Sequence, residues 1–458
     1  MSRIADAVLE SPTADGLLAP HRRALTIGLV LVITVAGFEA LAVATAMPHA
    51  QADLGGLRLY GWTFSAFMLA NLIGITVAGE QGDRHGPAPP FIAALTLFGA
   101  GLAIGGFAPS MAVLVAARAV QGLGGGALIS VAYIVIGRGY EERLRARMFA
   151  FMSSAWVVPG LVGPALAGAL AEYVSWRAVF LGLLPLVAAG TLLTLPGLRR
   201  LGPPERPALA PTRAWRAMQL AAGAGLVLAG LTSQAWYVAA PLFVVGGVVA
   251  LTALRALVPP GTVTAARGLP AAIVANGLLN LAFFGTEAFI PYTITSLRGG
   301  SAVLAGLALT SATLTWTSGA WIVERTGGRV PRERTATAGL AIVCVGIVGV
   351  TPIAWDAVPM WAAAVPWGVA GLGIGMAYSS LSLTVLGHAR PGEEGQVSSS
   401  MKLVEVLGAA LGAGSGGAVV ALGDAAGHPG ASIALAFGIM ALAAAAGVLA
   451  ATRIADAA

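Results

Sequence analysis

The sequence predicts an all-α integral membrane protein, in which two six-helix bundles flank a pair of inserted helices. Composition, the length of the apolar runs and a likeness between the two ends of the chain predict this class. Of 458 residues, 57% are hydrophobic and 10% are charged, and the mean hydropathy is +0.84. Soluble globular domains carry about 25% charged residues. The apolar runs commonly exceed the ~20 residues that a helix needs to cross a bilayer, which favours helices over a barrel of short strands.

Fourteen membrane spans are predicted. The seventh and eighth are the least clearly separated, because only the region 233–236 lies between them. A chain of twelve spans with a long linker is the alternative, since removing this pair changes the side of no other loop. The predicted spans are 24–48, 61–79, 91–109, 111–136, 148–171, 177–196, 217–234, 236–256, 269–297, 303–323, 337–354, 359–387, 397–421 and 430–452.

The basic residues give the predicted orientation. With the N-terminus in the cytoplasm, 21 of the 26 basic residues fall on the cytoplasmic side, three fall outside and two lie within spans. Cytoplasmic loops of membrane proteins carry such an excess of lysine and arginine. We therefore expect a multi-pass protein of the cell membrane, plasma or inner, with both termini in the cytoplasm.

The two ends of the chain resemble each other. Gly82-Asp83-Arg84-His85-Gly86 follows the second span, and Glu324-Arg325-Thr326-Gly327 follows the tenth at an offset of 241. Gly122-Leu123-Gly124 has a counterpart in Gly371-Leu372-Gly373 at an offset of 249. Internal duplication of this kind is typical of secondary transporters, whose sites lie between the repeats near the midplane.

This likeness divides the chain into five predicted parts. They are a cytoplasmic tail 1–23, a first six-helix bundle 24–196, a linker 197–268 that holds the two extra helices, a second six-helix bundle 269–452 and a cytoplasmic tail 453–458. The first apolar run is of full length, and three acids precede it. We therefore expect it to remain as a membrane span and not to be cleaved as a signal peptide.

Enzymatic motifs are absent from the sequence. It has no phosphate loop, metal-ligand cluster or nucleophile constellation, and its five histidines are scattered over loops and span ends. The single cysteine, Cys344, lies in an apolar run. We expect no enzyme activity, cofactor, bound metal or nucleic-acid partner.

Three acids and one arginine lie deep inside predicted spans, namely Glu39, Glu287, Glu405 and Arg118. A charged side chain at mid-membrane costs roughly 2.5–3.5 kcal/mol or more, so such residues usually face the bundle interior and have a function. Lys402 precedes Glu405 by one helical turn and can neutralise it.

Polar amides mark a further candidate surface. Asn276 and Asn280 lie one turn apart on the span that also carries Glu287. They either contribute to a polar cavity or form interhelical hydrogen bonds.

Three motifs resemble those of the major facilitator superfamily. Gly79-Glu80-Gln81-Gly82-Asp83-Arg84-His85-Gly86 is similar to the signature between its helices 2 and 3, although Pro87, Ala88 and Pro89 replace the usual basic residues. Arg118-Ala119-Val120-Gln121-Gly122-Leu123-Gly124 resembles its helix 4 motif, in which the arginine is linked to proton coupling. The stretch 160–168, which contains Gly160, Gly163, Pro164 and Gly168, resembles the helix 5 motif of exporters.

The spacing from Glu39 to Pro48 resembles the first-helix motif of the fourteen-helix drug–proton antiporter branch. That motif usually has aspartate in place of Glu39 and asparagine in place of Ala44. The resemblance implies a monomer in the lipid bilayer. It implies export of a small hydrophobic substrate, neutral or cationic, in exchange for protons by alternating access.

Within this reading, each group of residues has a predicted role. Glu39 and Arg118 form the proton-coupling pair, for which a permanent structural ion pair is the alternative. The cavity candidates are Gln121, Asn276, Asn280, Glu287 and Glu405, and the conformational candidates are Gly79, Asp83, Arg84, Gly86, Gly160, Gly163, Pro164 and Gly168. Rival functions are a narrow exporter of one lipid or natural product and a non-transporting receptor or scaffold.

Overall fold

A computed structural model describes residues 16–202, 213–326, 329–388 and 394–455. In this part of the chain the structure is helical, and no strand occurs. The helices are α1 Arg23–Leu54, α2 Tyr60–His85, α3 Ala88–Gly106, α4 Met111–Gly139, α5 Glu142–Ser154, α6 Val157–Tyr173, α7 Trp176–Leu181, α8 Leu184–Arg200, α9 Arg213–Thr232, α10 Trp236–Leu257, α11 Leu269–Glu287, α12 Ile290–Tyr292, α13 Ala302–Thr326, α14 Arg332–Val350, α15 Ala364–Gly387, α16 Glu394–Ala425 and α17 Pro429–Ala451.

The predicted spans correspond to these helices, some of which are interrupted within one crossing. Thirteen helical segments among the described residues are long and apolar enough to cross a membrane. The one predicted span that is not among these thirteen is the tenth, 303–323, which corresponds to α13, a helix of 25 residues with many threonines and serines. Its hydroxyl groups are satisfied inside the protein. Thr315 donates to the carbonyl of Gly368, and Ser311 donates to that of Ala364.

The two six-helix halves pack in the same pattern. In the first half α4 packs between α2 and α3, and in the second half α15 packs between α13 and α14. The first helix of each half, α1 or α11, contacts the last two full-length spans of that half. The structure therefore supports the internal repeat that the glycine motifs predict.

Glycines at matching positions create the closest helix contacts in both halves. A methyl group on Gly122 or Gly126 of α4 would clash with a backbone carbonyl of α2. A methyl group on Gly371 or Gly375 of α15 would clash with a backbone carbonyl of α13 in the same way. Small residues permit such close packing of membrane helices.

The linker contributes two antiparallel helices, α9 and α10. They contact each other closely at Gly223 and Gly246, where an added methyl group would meet backbone atoms. α9 packs against α2 and α16 and so touches both halves, whereas α10 is largely exposed on its outer surface. These are the two helices by which the fourteen-span prediction exceeds the twelve-span alternative.

The contacts between the halves are concentrated on one side of the membrane. We call the side at which α1 begins and α17 ends the terminal side, and the opposite side the far side. On the far side, Tyr60 donates a hydrogen bond of 3.0 Å to the carbonyl of Ala288, and Glu172 accepts one from the backbone of Val303. The halves are thus closed against each other on the far side.

One sequence expectation needs correction. The second span was predicted to end at residue 79, but α2 continues to His85, and Gly86, with φ +84°, ends it. Residues 1–15 of the predicted N-terminal tail, 203–212 of the linker, Gly327 and the C-terminal residues 456–458 lie outside the described residues.

Candidate transport site

The first half contains a buried ion pair between α1 and α4. Arg118 donates to the carboxylate of Glu39, and the two side chains are 3% and 0% exposed. Arg118 also donates to the backbone carbonyl of Thr63 at 3.1 Å and to Gln121 Oε1 at 2.7 Å. Its guanidinium lies 4.2 Å from the centre of the Phe67 ring, which is a cation–π distance. Arg118, which lies on α4, is therefore bound by groups of α1, α2 and its own helix.

The ion pair leaves one acceptor unused. Glu39 Oε2 and Gln121 Nε2 are fully buried and have no hydrogen-bond partner among the described residues. Buried polar atoms are nearly always hydrogen-bonded in folded proteins, so these two exceptions need an explanation. The free carboxylate oxygen of Glu39 is a suitable place for a proton.

Local helix packing brings these side chains together. The N-terminus of α4 is capped by Ser110, whose hydroxyl accepts from the backbone of Val113 at 3.4 Å. Gly101 of α3 fits against the backbone of Gln121, where a methyl group would lie 2.6 Å from the backbone nitrogen. The glycine at 122 then lets α2 approach, so that the Thr63 carbonyl reaches Arg118.

The second half has aromatic side chains at the equivalent place. Trp367, which is 249 residues after Arg118, stacks on Phe283 of α11 with ring centres 4.6 Å apart. Phe283 and Phe284 contact Trp316 of α13, and Trp316 contacts Tyr378 of α15 at 6.1 Å. An aromatic chain therefore runs through the second half.

This aromatic chain ends at a charged pair on α16. Tyr378 donates to Glu405 Oε2 at 3.1 Å, and Lys402 Nζ lies 2.5 Å from Glu405 Oε1. The Lys402 side chain is 40% exposed, whereas that of Glu405 is 13% exposed. The carboxylate of Glu405 is thus occupied on both oxygens.

The other cavity candidates are distributed differently from the expectation. Asn276 donates to the Met401 carbonyl at 3.5 Å, and Asn280 donates to the Asn276 carbonyl at 2.8 Å. Both side chains are buried and do not line an open cavity in this conformation. The Asn276 amide joins α11 to α16, whereas the Asn280 amide bonds within α11. Gln121 is likewise fully buried and belongs with the Glu39–Arg118 pair.

Glu287 lies at the last turn of α11, directly before the helix break that precedes α12. It is partly exposed, and no described residue forms a hydrogen bond or ion pair with it. The adjacent Ala288 carbonyl accepts the Tyr60 hydrogen bond, and the Tyr60 ring contacts Phe289 and Tyr292. Glu287 therefore lies beside the far-side closure and apart from the Glu39–Arg118 pair.

The helix 2 motif contacts its own half and the linker. Gly79 and Gly82 face Ser130 and Ile134 of α4. Glu80, and not Asp83, caps a helix N-terminus, because its carboxylate accepts from the backbone of Ala214 in α9 at 3.0 Å. The described residues show no hydrogen bond from Asp83 or Arg84 to the second half. In this conformation the motif therefore does not join the two halves on the terminal side.

The helix 5 motif lies at the boundary between the halves. A methyl group on Gly160 would clash with Thr313 of α13, and one on Gly168 would clash with the Ala302 carbonyl. The Pro164 carbonyl is equally close to Gly306, and Gly163 faces Phe38 of α1. These residues allow α6 and α13 to meet without intervening side chains.

Sequence reasoning missed several residues that the fold brings to this region. Gly306 completes the α6–α13 contact, Tyr60 bridges the halves, and Trp316 and Tyr378 connect Phe284 to Glu405. Gly306 could have been found in the sequence, because it lies one helical turn after Ala302 and is therefore on the same face of the helix. Tyr60 carried no signal, because its partner lies 228 residues away.

Two bundles with the same internal packing, a far-side closure and a buried charge pair define a membrane transporter with two homologous halves. The chain belongs to the Major Facilitator Superfamily, whose family model matches residues 28–413. The resemblance inferred from the motifs is thereby confirmed.

Curated relatives include multidrug transporters. The chain is 27% identical over 392 residues to the "Probable multidrug-efflux transporter Rv1634" of Mycobacterium tuberculosis, covering 82% of each chain. It is 24% identical over 414 residues to the "Multidrug transporter protein MdtP" of Bacillus subtilis, covering 87% of this chain and 75% of that one.

Solved structures share the fold at low identity. A POT-family peptide transporter in complex with sulfate has a TM-score of 0.67 at 16% identity, covering 94% of each chain. A bacterial homologue of the lysosomal transporter Spinster, in an inward-facing conformation, has a TM-score of 0.66 at 15% identity and covers 95% of this chain and 98% of that chain. These likenesses describe the architecture alone.

Proposed function

We propose that this protein exports hydrophobic, drug-like compounds in exchange for protons by alternating access of its two halves. The observation that carries the proposal is the fully buried Glu39–Arg118 pair with one unpaired carboxylate oxygen. The multidrug-efflux relatives support the substrate class. The glycine contacts between α6 and α13 support the role of a moving interface.

The proposed cycle uses a change in the surroundings of Glu39. In the described conformation the carboxylate is excluded from water and bound to Arg118, so it does not exchange protons with either side. When the halves separate on the far side, water reaches Glu39, and a proton can occupy the free oxygen. Protonation removes one charge of the pair and weakens its hold on Arg118, which lets α1 and α4 shift relative to each other.

The distribution of basic residues gives the proposed direction. We take the terminal side as cytoplasmic, because 21 of the 26 basic residues fall there. The described conformation is closed on the far side, so substrate would enter from the cytoplasm or the inner leaflet. Substrate leaves on the far side as protons enter.

The test measures transport in proteoliposomes that contain the purified full-length protein with its terminal side facing outward. A fluorescent hydrophobic dye should accumulate when the vesicle interior is acidic, and a protonophore should abolish the accumulation. Glu39→Gln should reduce the proton-driven rate by at least tenfold, because the side chain can no longer carry a proton. Glu324→Gln is the matched control, since Glu324 is exposed on the terminal side.

The result that contradicts the proposal is retention of proton-driven transport at the wild-type rate by Glu39→Gln. The alternative of a narrow exporter predicts that dyes fail while one lipid or natural product is moved by the same gradient. The aromatic chain from Phe283 to Tyr378 favours this alternative, because ordered ring contacts restrict ligand shape. A receptor or scaffold would give no proton-linked flux with any compound.

A further inference from the structure

Lys402 is the only lysine in the chain, and it lies inside the membrane-spanning region. Every other positively charged side chain, apart from the histidines, is an arginine. We propose that Lys402 binds the acidic group of a lipophilic anion whose apolar body lies along Trp316 and Phe284. This inference rests on the proposed transport function and names the chemical class of its substrate.

The first step of the argument is the state of the ammonium group. Glu405 Oε1 accepts from Lys402 and Glu405 Oε2 accepts from Tyr378, so each carboxylate oxygen already has one donor and the charge of Glu405 is balanced by Lys402. An ammonium group has three donors. Among the described residues, only Glu405 accepts from Lys402, and the lysine side chain is the more exposed of the pair. A ligand that approaches this pair therefore meets an ammonium with donors to spare.

The second step is the contrast with Arg118, the other cation inside a membrane span. Arg118 is engaged by Glu39, Gln121, the Thr63 carbonyl and the Phe67 ring, and it is almost fully buried. A guanidinium held in this way has little capacity for a ligand. Lysine carries a compact charge on a flexible stem and can reorient toward a ligand oxygen. Of the two cations, Lys402, whose side chain is 40% exposed, is the one that can exchange partners.

The third step is the apolar surface that adjoins the ammonium. Tyr378 connects the charged pair to Trp316, and Trp316 contacts both Phe283 and Phe284. Phe284, Trp316 and Tyr378 are partly exposed, as is the Lys402 side chain, so a ligand can reach both the rings and the ammonium. An acidic group and an apolar body fit these two neighbouring surfaces.

The charges predict opposite effects for the two members of the pair. The ammonium attracts an anionic ligand, whereas Glu405 repels it. Removing the lysine charge should therefore weaken anion binding, and removing the glutamate charge should strengthen it. A cationic substrate at this site would reverse both signs.

The first experiment uses 1-pyrenebutyrate and its methyl ester as probes for the purified full-length protein, with pyrene fluorescence as the measure of binding. The acid should bind at least tenfold more tightly than the ester. Lys402→Met should remove this preference, Lys402→Arg should retain most of it, and Glu405→Gln should increase it. Equal binding of acid and ester by the wild type, or weaker acid binding in Glu405→Gln, would overturn the proposal.

A neutral double variant guards against misfolding. Lys402→Met alone leaves Glu405 without its cation, which destabilises the fold for a reason unrelated to ligand. Lys402→Met with Glu405→Gln removes both charges and should fold, as judged by a monodisperse gel-filtration peak, yet bind acid and ester equally. A retained acid preference in this double variant would also overturn the proposal.

The second experiment uses the uniqueness of the lysine. An amine-reactive reagent should modify Lys402, and peptide mass spectrometry should locate the modification. 1-Pyrenebutyrate should protect Lys402, whereas the methyl ester should not. Protection by phosphatidylglycerol vesicles, with none by phosphatidylcholine vesicles, would assign the anion to a lipid headgroup. Absence of protection by any anion would contradict the proposal.

These binding measurements are independent of proton coupling. If Glu39→Gln transports like the wild type while the acid preference at Lys402 persists, the proposed proton exchange fails and the anion site stands. If proton-driven dye transport is present but the acid preference is absent, the anion site alone fails.

Discussion

The two halves share one scaffold and differ in what they place at its centre. In the first half α4 presents Arg118 to Glu39 of α1, and in the second half α15 presents Trp367 to Phe283 of α11. The same close glycine contacts hold α4 against α2 and α15 against α13. The scaffold therefore tolerates either an ion pair or an aromatic stack at the equivalent position.

This difference suggests a division of labour. A buried ion pair responds to protonation, because one proton changes its net charge. The buried aromatic stack does not titrate, and the partly exposed rings of Phe284 and Trp316 beside it offer a surface for apolar ligands. We infer that the first half senses protons and the second half contacts substrate, and the following predictions test that comparison.

The largest expected effect is on folding, and it should be the same in both halves. Gly126→Ala and Gly375→Ala each place a methyl group against a backbone carbonyl that cannot move away, since it belongs to a packed helix. Overpacking costs roughly 1–3 kcal/mol, and more where backbone must shift. Both variants should lose most of their folded yield, measured by fluorescence-detected gel filtration. Gly137→Ala, which has open space around it, is the control and should fold normally.

The next effect separates stability from proton coupling in the first half. Arg118→Met leaves the Glu39 carboxylate buried without its cation, which costs about 3–5 kcal/mol in comparable buried pairs. Adding Glu39→Gln to Arg118→Met should restore much of the thermal stability but no proton-driven transport. Recovery of proton-coupled transport in the double variant would place the proton site elsewhere.

A smaller effect, on substrate, is expected in the second half. Trp316→Leu removes the partly exposed ring that contacts Phe284 and Tyr378, and such aromatic pairs contribute about 0.5–1.5 kcal/mol beyond burial. Substrate affinity should fall severalfold, while the number of protons exchanged per substrate stays unchanged. A changed proton stoichiometry in this variant would break the proposed division between the halves.

The smallest effect concerns the terminal-side surface of the first half. Hydrogen bonds from Arg143 and Arg22 lower the pKa of Glu141, which lies between α4 and α5. A lowered pKa stabilises the fold above the ordinary glutamate pKa, and this contribution is lost as the pH falls through the lowered value. Glu141→Gln should therefore reduce the melting temperature slightly at pH 7 and leave it unchanged well below pH 4. An equal difference at both pH values would contradict this assignment.

The sequence predicted the fold well, because span length and charge placement are local properties. Hydrophobic runs set the helices, and the arginine distribution set the expected sides. The glycine repeat at 122–124 and 371–373 predicted the two halves, and the same glycines form the equivalent contacts. The end of α2 was missed, since the polar residues 80–85 look like a loop although they continue the helix.

The candidate site was predictable only in part. Burial cost singled out Glu39 and Arg118, whereas for Asn276 and Asn280 the sequence left a cavity surface and interhelical hydrogen bonds as alternatives, and in the structure Asn276 bonds to the Met401 carbonyl of α16. Helical spacing alone does not say whether a polar residue faces a neighbouring helix or open space. That depends on which helix packs beside it.

By itself, the sequence determined that the chain crosses the membrane many times, that it is duplicated and that a few ionisable residues are buried. Those properties follow from hydrophobicity and from short-range spacing. Only the tertiary structure decided that Arg118 meets Glu39 from 79 residues away, that Tyr60 closes onto Ala288, and that Lys402 keeps free donors beside an aromatic surface. Such contacts depend on how helices approach one another, and close approach requires a glycine on one helix to meet the backbone of its neighbour.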